Sequence, residues 1–117
     1  MIDSHRPPGK TTVSPEVLIA IARMAALSVP GVSSLAPVAG GVNRLFHRRA
    51  DEGVRINLHE NVVYGDIYLI VEEDVNIREV GRNVQTQVAR AIHEMVGMDV
   101  AQIDVHVEDI DYRGTEA

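Results

Sequence analysis

With 117 residues, 45% of them hydrophobic, the chain has the length of one domain and enough apolar mass for one core. Its aromatic residues are only Phe46, Tyr64, Tyr68 and Tyr112, so that core is aliphatic and offers little for stacking on bases or sugars. A net charge of −6, from 11 Lys and Arg against 17 acids, disfavours counterion-driven nucleic-acid binding, and the absence of cysteine excludes disulfides, thiolate zinc sites and cysteine nucleophiles.

Residues 1–9, with Pro7-Pro8-Gly9, read as a disordered lead; 10–112 read as one domain and 113–117 as a short flexible tail. Met1 to Pro8 has no apolar run resembling a signal peptide, and the lack of cysteine fits a cytosolic chain. The short run Thr11-Thr12-Val13 is expected to form a brief strand. Ser14 is placed as an N-cap before Pro15 and Glu16, and opens a helix that runs to Ser28, where Pro30-Gly31 stops it. Arg23 is the sole charge in the body of this helix, so the helix is expected to be buried on nearly all sides, under a second helix or another subunit. Its longest apolar stretch, Val17 to Ala22, falls far short of the ~20 residues of a membrane span.

Val32 to Val38 is a weaker strand pattern closed by Pro37 and Gly40-Gly41. Gly41 to Gly53 is a polar, basic excursion. Val54 to Glu60 then alternates with Val54, Ile56 and Leu58 inward, Asn61 makes a tight connection, and Val62 to Glu72 returns as the other half of an antiparallel hairpin. Asn76, with Glu79 three residues on, is a capping-box start for a second helix whose apolar stripe is Ile77, Val80, Val84, Val88, Ile92 and Met95. Gly97 is its stop. The opposite face carries Arg78, Arg82, Gln85, Gln87, Arg90 and Glu94. A last strand, Ile103 to Asp109, follows; strand–helix–strand order predicts that it runs parallel to Val62–Glu72. The fold class is α+β: a two-layer sandwich in which two helices lie on one face of a small mixed sheet of three to five strands.

Arg44, Leu45, Phe46, Arg48 and Arg49 form a basic, partly apolar segment able to meet anionic headgroups, although three arginines contribute only about 1 kcal/mol each at such a surface. A solvated basic loop that offsets a negative domain is the simpler reading of them. Tyr64, Tyr68 and Ile70 fall on the sheet face the helices leave open, a pattern of oligomer contacts as well as of ordinary apolar exposure. His59 and His106 also face outward near Asp66, Asp104 and Glu108, but an open sheet does not hold ligand geometry, so no metal or cofactor is expected. Glu72-Glu73-Asp74 is a solvated turn rather than acid–base machinery, and no serine sits in a nucleophile elbow; the chain reads as no enzyme.

The ordered set Gly9-Lys10-Thr11-Thr12-Val13-Ser14-Pro15-Glu16-Val17, Val29-Pro30-Gly31-Val32, Gly53-Val54-Arg55-Ile56, Asp66-Ile67-Tyr68-Leu69-Ile70-Val71-Glu72 and Ile103-Asp104-Val105-His106-Val107 resembles the alkaline shock protein family, an envelope-stress family of Gram-positive bacteria. The resemblance spans Gly9 to Ile110, and its specificity lies in the order of the pieces. It implies a cytoplasmic, non-enzymatic scaffold in cell-envelope homeostasis that self-associates as a homo-oligomer, with recruitment to the membrane through a separate anchor protein. The family has no shared catalytic motif, so no active-site residue carries over. The chain departs from the pattern in its basic segment Asn43–Ala50. The alternative from another class is a small RNA-type α+β binding module, for which Arg44 to Arg49 is the only hint.

Overall fold

Val62–Glu72 is the spine of the molecule. In the computed structural model, which describes residues 8–37 and 53–112, this eleven-residue strand is flanked on both edges and covered on one face. In chain order the elements are α1 (Pro15–Leu27), β1 (Val32–Leu35), β2 (Val54–His59), β3 (Val62–Glu72), α2 (Ile77–Val96) and β4 (Asp99–Asp111).

β1 and β2 lie end to end along one edge of β3, both antiparallel to it: Leu35 faces Leu69, and Val54 to His59 face Ile67 back to Val62. β4 runs parallel along the other edge, from Val62↔Asp99 to Glu72↔Asp111, with register shifts after Val63 and after Leu69. The sheet is therefore mixed, and the predicted parallel pairing of β3 with the last strand holds. Glu60 and Asn61 close the β2–β3 hairpin with positive φ of 54° and 65°, the backbone of a type I′ turn.

Alternation decides the layers. Val63, Ile67, Leu69 and Val71 of β3 are fully buried and join Val80, Val84, Val88 and Ile92 of α2 and Leu18, Ile21, Ala22 and Ala26 of α1 in one aliphatic core. Gly65 sits between its cross-strand neighbours Ile56 and Ile103, and a Cβ there would lie 3.2–3.3 Å from both their Cδ1 atoms. The missing side chain lets two isoleucines from opposite edges close over the spine.

α2 has the ends its sequence prescribes. Asn76 Oδ1 accepts from the Glu79 N–H at 3.0 Å, and Gly97, at φ 78°, donates to the His93 carbonyl at 2.9 Å. Ile77 and Met95, expected in its buried stripe, are exposed at its two ends.

Two expectations fail. Lys10 to Val13 forms no strand: both edges of β3 are taken, and Val13 packs against the core as an extended lead into α1. Ser14 precedes the helix in extended conformation, but its hydroxyl makes no capping bond. The second cover expected over α1 is not supplied in full within one chain. A two-layer fold gives it a sheet below and a helix beside but no third layer above, so Val17 (45%), Met24 (60%) and Leu27 (45%) are exposed.

Candidate interaction surfaces

Two uncovered faces and one neck organise the surface. On α1 the exposed positions Val17, Ala20, Met24 and Leu27 follow a 3-4-3 spacing, which aligns them in a single stripe. The buried side of the same helix explains why the sequence alone hid this stripe: apart from Glu16 and Arg23 both sides are apolar, so periodicity carries little contrast.

The second surface is the sheet face away from the helices. The even-numbered residues of β3, Tyr64, Asp66, Tyr68 and Ile70, point there, and so do Arg55, Asn57 and His59 of β2. β4 adds Gln102, Asp104 and His106 in register with Tyr64, Asp66 and Tyr68. His106 Nε2 lies 2.9 Å from Asp66 Oδ1, and its ring stacks on Tyr68 with centroids 4.6 Å apart and planes 17° apart. The two partners of this contact are half-buried, a setting in which such a pair adds at most about 1 kcal/mol. Gln102 donates to Asp104 at 3.0 Å, and the Ser33 hydroxyl donates to Asp111. His59, on the far edge strand, is not brought to His106, and among the described residues no three His, Asp or Glu side chains converge in a way that would hold a metal.

Tyr68 also fastens a neck. The Ala36 N–H donates to its carbonyl at 2.8 Å, and its own N–H donates to the Gly53 carbonyl at 2.9 Å. Gly53 has φ 77°, and a Cβ on it would stand 2.4 Å from Leu35 Cβ. The chain thus leaves the sheet after Ala36 and re-enters it at Gly53 beside a single residue. The predicted contacts Arg44, Leu45, Phe46, Arg48 and Arg49 belong to the interval between, and lie outside the described residues. Tyr64, Tyr68 and Ile70, by contrast, share the open face as expected. Sequence reasoning set His106 near Asp66 on the outer face but missed the neck and the stack of His106 on Tyr68, which needs the exact register of β4 on β3.

Among the described residues no helix is long and apolar enough to cross a membrane. The sequence profile of the alkaline shock protein 23 family, described by a cell envelope-related function, matches residues 3–112. The Bacillus subtilis protein YqhY is 29% identical over 112 residues, covering 94% of this chain and 82% of its own length. A second Bacillus subtilis protein, YloU, is 26% identical over 87% of this chain and 88% of its own. Among solved structures, the MamM CTD in its copper form superposes with a TM-score of 0.60 at 17% identity, covering 88% of this chain and 92% of that domain. A zinc form of that domain gives 0.53 at 14%, covering 86% and 91%. At such identities the likeness is one of fold.

Proposed function

The chain belongs to the alkaline shock protein 23 family, and from that premise we propose that it is a non-enzymatic, self-associating scaffold or adaptor of the cytoplasm, contributing to cell-envelope homeostasis through protein contacts. The observation that carries this reading is the apolar stripe of α1. Val17, Met24 and Leu27 are large, exposed and aligned, where a monomer of this size gains nothing by leaving them in water. The open sheet face, with Tyr64, Tyr68 and Ile70, supplies a second contact area. A cell envelope-related role fits a membrane-anchored protein partner, to which the basic Arg44, Arg48 and Arg49 and the apolar Leu45 and Phe46 would add contact with protein or with anionic lipid. The nucleic-acid alternative draws no support from a sheet face that carries Asp66 and Asp104 where phosphate would lie.

Sedimentation at high micromolar concentration tests the reading. The wild-type chain is expected to run above monomer mass, and Met24→Lys with Leu27→Lys to lower that mass while leaving the circular-dichroism spectrum intact. A wild-type monomer at every concentration overturns it.

A further inference from the structure

Charge is segregated along this chain to a degree its net value conceals. No Asp or Glu occurs between Glu16 and Asp51, whereas β4 carries Asp99, Asp104, Glu108, Asp109 and Asp111 without one Lys or Arg. Asp104 and Asp109 are exposed and register with Asp66 and Ile70 of β3, so acidic and apolar groups share the uncovered sheet face with Tyr64 and Tyr68. The segment Arg44-Leu45-Phe46-His47-Arg48-Arg49 has the complementary composition: three guanidinium groups and two large apolar side chains within six residues.

We propose that the uncovered sheet face of one copy receives the basic segment Arg44–Arg49 of a second copy. The inference rests on the self-association reading above and names its chemistry. Arginine suits such a face doubly, since its planar fork pairs with carboxylates and stacks on tyrosine rings, while Leu45 and Phe46 meet Ile70 and Tyr64. The neck sets the geometry. The segment leaves and rejoins the fold at Tyr68, on the β1–β2 edge of β3, whereas the acidic strand forms the opposite edge. The residues that hold the two ends of the interval thus sit on the edge opposite the acidic strand, an arrangement that suits a head-to-tail contact between copies. Such a contact is heterologous: it grows into rows unless the rotation between copies closes a ring.

Two charge-reversed full-length chains test this, one carrying Arg44→Glu, Arg48→Glu and Arg49→Glu, the other Asp104→Lys, Glu108→Lys and Asp109→Lys. Each alone is expected to sediment at lower mass than wild type, and an equimolar mixture to recover the mass, because each supplies the patch the other lacks. Reversals that leave the mass unchanged while wild type self-associates overturn this inference and spare the scaffold reading; a wild type that is monomeric overturns both. Recovery in a single chain bearing all six changes, but never in the mixture, places the segment on its own copy's face and overturns the proposal. So does loss of binding to anionic vesicles in the arginine variant with self-association unaltered.

Discussion

Gly53 is the residue whose replacement the fold tolerates least for its size. Its φ of 77° and the 2.4 Å approach to Leu35 Cβ leave an alanine strained and overlapped at once, so Gly53→Ala is expected to cost about 2–4 kcal/mol in urea unfolding. His106 is the contrasting case. Its contacts with Asp66 and Tyr68 look purposeful, yet both ionisable partners stand partly in water, and His106→Ala is expected to cost less than about 1 kcal/mol in the same measurement. A larger loss would mean that the stack orders the open face. At this scale the sequence was informative about facing and silent about partners. Alternation put Tyr64, Tyr68 and Ile70 on one side of the sheet, but nothing local says that residue 106 stands beside residue 68.

Helix ends separate what local chemistry determines from what it only permits. Asn76 and Ser14 are both good capping residues by type, and both precede their helices in extended conformation. Only Asn76 closes the bond, to the Glu79 N–H. Asn76→Ala is therefore expected to lower stability by about 1 kcal/mol, and Ser14→Ala by less than ~0.5 kcal/mol, in parallel thermal melts. The strands were legible where polarity alternates, as in β2 and β3, and blurred where it does not. β4 extends four residues before Ile103 because parallel pairing with the long β3 recruits Asp99 to Gln102, whose own composition argues weakly for a strand. α1 was ambiguous for a related reason: near-uniform apolarity signals burial but not which side the chain itself covers, and the two-layer architecture leaves Val17, Met24 and Leu27 outside within one chain.

At the scale of the whole molecule, the mixed sheet with both helices on one face was readable from element order, since β3, α2 and β4 form a crossover unit and β2–β3 a hairpin. The placement of β1 was not, because four residues with two serines carry no register of their own and borrow it from Leu69 to Val71. The neck at Tyr68 yields a prediction for the entire fold. Replacing residues 38–52 by a short glycine linker should preserve the circular-dichroism spectrum and, through the smaller loop to close, raise stability by about 1 kcal/mol. Unfolding of the excised chain at lower denaturant would show that the interval contributes to the core. With both ends of that interval held by one tyrosine's backbone, its length and composition are expected to vary at little cost to the fold. Descendants of this gene can rewrite whom the protein meets while inheriting unchanged how it folds.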